Sequence, residues 1–164
     1  MMQVRPYRRE ELPAILACSV QTARAQLVGR DLPGATSQGL VRQITNMYES
    51  ALMMPDTTIL VADWPAGTSQ GAGQASGPAA YVLAMPQPNP FTGEREVIVL
   101  DIYTNPALRG RKVGRLLLDH VTAYAKRVGA GSLVAQIAVH NAASRALFRS
   151  GGFVEERVVV GRRV

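Results

Sequence analysis

Arg109, Arg111, Lys112 and Arg115 put four positive charges within seven residues, interleaved with Gly110 and Gly114. A run of charge alone usually does no more than keep a face solvated. Here an apolar strand leads into the run and a helix opens out of it. The first amides of a helix lack internal partners and carry the positive end of its dipole, so they bind phosphate or diphosphate groups. The glycines lack Cβ atoms and allow backbone and ligand to approach closely. Upstream, Asp101 interrupts the apolar run Glu96–Thr104. A carboxylate there is costly to bury unless paired, and burial disfavours its charged form, as suits a group that takes up a proton. The same residue would equally serve by accepting hydrogen bonds from nearby loop amides, and both roles stay open. Glu96 is the second candidate base, although strand alternation assigns it to the face opposite Asp101. Tyr103 shares the face of Asp101 and is placed to position an acceptor. The lone Cys18 reads as a buried, inert thiol and excludes a disulfide framework or a cysteine metal site. Two histidines, His120 and His140, are too few for a zinc centre; His120 is expected to pack on its helix face and His140 to cap or lie at the surface.

These residues need elements to hold them. Gln3–Pro6 is a short strand. Glu10–Val28 reads as a helix, with Leu12, Ile15, Leu16, Ser19, Ala23 and Leu27 in helical register and Gly29 as its stop. After a loop over 29–34, Thr36 or Ser37 caps a second helix ending near Met53, with Leu40, Ile44, Met47, Tyr48 and Ala51 on one side. Strands are expected at Thr57–Ala62, Ala79–Met85 and Glu96–Thr104, the last with the continuous apolar character of a central strand. Residues 65–78, rich in Gly, Ser, Ala and Gln, read as a mobile hairpin loop. Its Gly71-x-Gly73 leads into a strand, whereas a phosphate cradle must open a helix. An amphipathic helix follows at Val113–Val128 with Gly129 closing it, then a strand at Leu133–Val139, a short helix at Ala142–Ser150 and a last strand at Phe153–Val160.

The order β-α-α-β-β-β-α-β-α-β implies an α/β fold built on a mixed sheet with helices on both faces. At 164 residues and 47% apolar content, residues 1–164 form a single domain with ample core. A net charge of +6 suits anionic partners. No stretch approaches the ~18–20 apolar residues of a membrane span, and residues 1–12 carry no export signal, so a cytoplasmic protein is expected. Nucleic acid is disfavoured as a partner, since the basic cluster is already assigned to nucleotide phosphates and no aromatic-basic RNA signature appears.

Taken together, the chain resembles the GNAT superfamily of acetyl-CoA-dependent N-acetyltransferases. That family has Arg/Gln-x-x-Gly-x-Gly/Ala opening a helix after a strand, and Arg109-Gly-Arg-Lys-Val-Gly114 is similar, with Lys112 in place of the usual middle glycine. Its second signature, an Asn followed by a short helix ending Leu-Tyr-x-x-x-Gly-Phe, resembles Asn141–Phe153, with Phe148 in place of the Tyr. The resemblance covers nearly the whole chain and is firmest over 96–153. It implies a central, mostly antiparallel sheet with two parallel strands splayed apart around the cofactor. It further implies that Ile102, Tyr103 and Thr104 bond the pantetheine arm, and that the amides from Gly110 through Arg111, Lys112, Val113 and Gly114 to Arg115, beside Arg109, hold the diphosphate. Asn141 (also a good helix cap), Ser144 and Phe148 would line the other side.

The activity so implied is transfer of an acetyl group from acetyl-CoA to a primary amine of a small molecule or protein, by direct attack and without a metal. Asp101, Glu96 and Tyr103 are the catalytic candidates. Phe148 cannot act as the acid, a role that water can fill because a thiol near pKa 8.5 leaves readily. The contrasting reading is an acyl-CoA-binding module without catalysis. The family continues beyond the Gly-Phe through a strand hairpin, so an unpaired sheet edge is expected, with a second subunit covering it in a homodimer.

Overall fold

The computed structural model describes residues 2–24, 26–27, 31, 35–65 and 77–162. The expected mobile loop, apart from Pro65, Gly77 and Pro78, and its Gly71-x-Gly73 lie outside these residues, as do Val28, Gly29 and most of the first interhelical loop.

Strand β1 (Val4–Pro6) leads through a 3-10 turn at Arg9–Glu11 into α1 (Leu12–Arg24), followed by α2 (Ser37–Met53). Three strands follow, β2 (Thr58–Ala62), β3 (Ala80–Pro88) and β4 (Arg95–Thr104). A second 3-10 turn (Pro106–Leu108) precedes α3 (Val113–Arg127), β5 (Ser132–Ala135) and α4 (Ala142–Ser150). The sheet runs in sequence order, β1-β2-β3-β4-β5. Its first three pairings are antiparallel and β4–β5 is parallel.

Local chemistry accounts for the helix ends. Thr36 Oγ1 accepts the amide of Gly39 at 3.0 Å and starts α2. At the end of α3, Gly129 adopts φ +73°; its amide bonds the Lys126 carbonyl while that of Ala130 reaches back to Ala125, a Schellman closure. Arg5 ties the start of α1 to the sheet by bridging Glu11 at 2.6 Å and Asp63 at 2.7 Å.

Each face of the sheet has its own core. Ile15 of α1 with Tyr48 and Ala51 of α2 pack on Ile59, Val61, Tyr81 and Leu83. On the opposite face, Leu117, Leu118, Val121 and Tyr124 of α3, with Phe148 of α4, cover Val82, Val97 and Val99. Leu117 is fully buried, and truncating it to Ala would cost about 2–5 kcal/mol. His120 departs from expectation, since it is exposed rather than packed against the sheet. Among the described residues no helix is long and apolar enough to cross a membrane.

The expected strand at Phe153–Val160 does not form. Residues 154–162 are exposed and neither helical nor paired; Val158 and Val160 are each 87% exposed. A valine run favours a strand only where a neighbouring strand and a packed face receive it, and this segment has side-chain ties instead. Glu155 pairs with Arg145 at 2.7 Å, and the Arg157 guanidinium lies 4.5 Å from the Phe91 ring centroid. Among the described residues β5 therefore has no neighbour on its outer edge. It also ends at Ala135, four residues short of the expected Val139.

Candidate functional site

The early end of β5 shapes the site. β4 pairs with β5 only from Glu96 to Val99, yet runs on to Thr104 with β3 alone beside it. One main-chain edge of residues 100–104 thus lacks a strand partner among the described residues, on the side where the parallel strands part. Ile102, Tyr103 and Thr104 are half-buried along it. Beyond β5 the amide of Ala138 bonds the Gln26 side chain at 2.9 Å, which ties this segment to the loop after α1.

Opposite β3, Leu83 pairs with Asp101 and Ala84 with Val99, so Leu100 is a bulge residue. The bulge turns Leu100 and Asp101 toward the α1–α2 face, while Val99 and Ile102 face α3. It also resets the alternation. Glu96, assigned by simple alternation to the opposite face, lies on the same face as Asp101, because it pairs across with Gln87 and bonds its side chain at 2.8 Å. It remains remote from Asp101, about 16 Å along the strand at ~3.3 Å per residue. Its other oxygen accepts from Asn89 at 2.9 Å, and the residue is buried. Both oxygens are therefore occupied.

Asp101 is held differently. The Tyr48 hydroxyl of α2 donates to Oδ2 at 2.7 Å and the Tyr81 hydroxyl of β3 donates to the same atom at 3.0 Å. Oδ1 accepts no hydrogen bond among the described residues; Ser19 Oγ is the one sealed and unbonded side-chain polar atom there, so Oδ1 retains access to solvent. Burial, reinforced by the Asp101 charge, drives both phenols well above their ordinary pKa, so they stay donors. Tyr103 stacks on Tyr81 with ring centroids 5.5 Å apart. Burial pushes its hydroxyl up to about 12, and the Cys18 thiol beside it is raised by burial as well. The thiol is thus protonated, in keeping with an inert role, although it is half-buried and beside the site.

Past the end of β4, the Asn105 side chain accepts the Ala107 amide at 3.0 Å and Pro106 opens the 3-10 turn. Gly110 has φ +76°, and Lys112, the N-cap of α3, has φ +60°. That value explains why glycine suits the position, since an L side chain pays strain in the left-handed region. The amides of Val113, Gly114 and Arg115 meet no main-chain acceptor among the described residues. Lys112→Gly is expected to leave the melting temperature unchanged or raise it. Lys112→Val, β-branched at positive φ, is expected to lower it by roughly 3–6 °C, as differential scanning calorimetry would record.

The basic residues divide. Arg109, Arg111 and Lys112 are exposed, whereas Arg115 is bound to Asp119 at 2.9 Å and to the Ser150 carbonyl. The missing Cβ of Gly114 serves packing, since one built there would meet the Leu147 methyls of α4 at 3.0 Å and Thr104 Oγ1 at 3.5 Å. Asn141 caps α4 by accepting the Ser144 amide at 3.1 Å, and Ser144 is half-buried. Phe148 is buried against Phe153, edge to face at 4.9 Å.

The arrangement joins a helix start with unbonded amides, a strand edge without a strand partner among the described residues and a carboxylate with one open oxygen. Sequence reasoning did not find Tyr81, and placed Tyr48 only on an apolar helix side. A tyrosine within an apolar stripe was the available signal, because a buried phenol needs a partner.

Known proteins match this architecture. The family model described as "Acetyltransferase (GNAT) family" matches residues 40–153. A putative acetyl transferase from Pyrococcus furiosus is similar with a TM-score of 0.78 at 15% identity, covering 100% of both chains. Glucosamine-6-phosphate N-acetyltransferase from Arabidopsis thaliana gives 0.64 at 13% identity, covering 99% of this chain and 98% of that one. The aminoglycoside N-acetyltransferase AAC(6')-Iy, solved in complex with CoA, gives 0.66 at 19% identity over 99% and 95%. At these identities the likeness shows the fold. No curated protein matches the sequence.

Proposed function

Because the chain belongs to the GNAT acetyltransferase family, we propose that it transfers the acetyl group of acetyl-CoA to a primary amine of a small molecule or protein by direct attack. The observation that carries this reading is the pairing of a free strand edge at 100–104 with unbonded helix-start amides at 113–115. The amides, with Gly110, Arg109, Arg111 and Lys112 around them, suit a diphosphate; the main chain of Ile102, Tyr103 and Thr104 suits an amide-bearing arm. Asn141 and Ser144 contribute polar groups from α4, and Phe148 supports that helix from the core. A CoA complex of a protein with this fold supports the same assignment.

An alkylamine near pKa 10 is mostly protonated at neutral pH and must lose a proton before it attacks. Asp101 accepts that proton at Oδ1, directly or through one water, while Tyr103 orients the amine. Bound there, acetyl-CoA supplies the thioester carbonyl and a thiolate near pKa 8.5 that leaves with a proton from water. Glu96, with both oxygens engaged, stands behind Asp101 as a candidate.

Incubation with acetyl-CoA and a panel of primary amines that includes amino-sugar phosphates and aminoglycosides is expected to release free CoA thiol. Tight CoA binding without turnover on any amine would favour the non-catalytic acyl-CoA-binding module. A second copy of the chain is proposed to cover the outer edge of β5, which has no strand neighbour among the described residues; Val154, Val158, Val159 and Val160 offer it further exposed apolar surface. Light scattering is expected to give a dimer at micromolar concentration, and a monomer would refute this.

A further inference from the structure

We infer that Tyr48 and Tyr81 are positioning residues, which clamp Asp101 through Oδ2 and leave Oδ1 turned outward as the proton-accepting atom. The inference rests on the base role proposed for Asp101. Two donors converge on one carboxylate oxygen, at 2.7 and 3.0 Å, from separate elements, α2 and β3. Both phenol rings are almost fully buried, so neither hydroxyl can exchange Asp101 for water. The bulge at Leu100 is what turns the carboxylate into their reach. A carboxylate fixed at one oxygen has lost rotational freedom about its Cβ–Cγ bond, and its other oxygen keeps one direction.

Around Asp101 stand Cys18 from α1, Tyr48 from α2 and Tyr81 from β3, and Tyr103 of β4 lies beside Cys18 and Arg109.

The test is the split of kcat against KM in the full-length protein, with an amine that turns over. Tyr48→Phe and Tyr81→Phe each free the carboxylate to rotate and are expected to lower kcat about 3–10-fold with KM for acetyl-CoA unchanged. 3-Fluorotyrosine placed at position 48, which keeps the hydroxyl on Oδ2, is expected to retain the wild-type kcat and keeps the test valid if either phenylalanine variant fails to fold. A kcat unchanged in both phenylalanine variants, while Asp101→Asn is slow, would overturn the clamp and spare the base. An Asp101→Asn variant with full kcat would overturn the base and the clamp together.

Discussion

Asp101→Asn is expected to lower kcat by about 10²–10³-fold, the range lost with a general base, while CoA affinity stays within about twofold of wild type, as for a residue whose loss touches only the proton transfer. The substitution is close to isosteric, and the Asn carbonyl oxygen can still accept both the Tyr48 and Tyr81 hydroxyls, so the α1–α2 core should survive. What disappears is the acceptor at Oδ1. The variant would then depend on the fraction of amine that is already neutral, about one part in 10³ at pH 7 for an alkylamine. That dependence gives a second signature. The rate of the variant should climb about tenfold per pH unit toward the pKa of the amine, whereas the wild-type rate, with a base to take the proton, should depend on pH less steeply. Stopped-time assays of thiol release from pH 6 to 10 distinguish the two profiles. A variant that is equally slow at all pH values would point to lost substrate placement, and one as fast as wild type would remove Asp101 from the mechanism.

Asp101 stood out because a charge inside an apolar strand is a conspicuous local violation of pattern. Its environment did not. Tyr48 lies 53 residues away and Tyr81 20, and pairings at such separations depend on which elements share a sheet face. The bulge at Leu100 shows the same limit, since an alternating pattern carries no mark of a skipped residue, and one skipped residue moved Glu96 to the other face. Helix ends were legible where the signal is chemical and local. The beginnings of α2 and α4 follow from Thr36 and Asn141 as caps, and the end of α3 from Gly129. Strand ends were not legible where pairing decides them. Nothing local to residues 136–139 says that β5 should stop, because the reason is that β4 is no longer alongside. The valines of 154–160 have strong β-propensity with no edge that receives them. Both misreadings fall around the gap that defines the site, where regular pairing is given up to leave main-chain groups free.

The turn before α3 offers the other large effect. Replacing both Arg109 and Arg111 by Ala is expected to weaken CoA binding by about 30-fold, at roughly fivefold for each charge about 4 Å from a phosphate in water. Neither side chain has an ion-pair partner among the described residues, so their removal should not disturb the fold. Arg115→Ala should behave in the opposite way. Its guanidinium already bridges Asp119 and the Ser150 carbonyl, joining α3 to α4, and its loss should reduce thermal stability more than affinity. Two controls in titration calorimetry isolate the diphosphate. Raising salt toward 0.5 M should shrink the difference between wild type and the double variant, because exposed charges are screened over a few ångströms there. Pantetheine, which lacks the diphosphate, should bind both proteins alike. If CoA bound the double variant as tightly as wild type, the helix-start amides would have to hold the diphosphate unaided. If CoA bound neither, the anion site at 110–115 and the acetyl-transfer reading built on it would fail together.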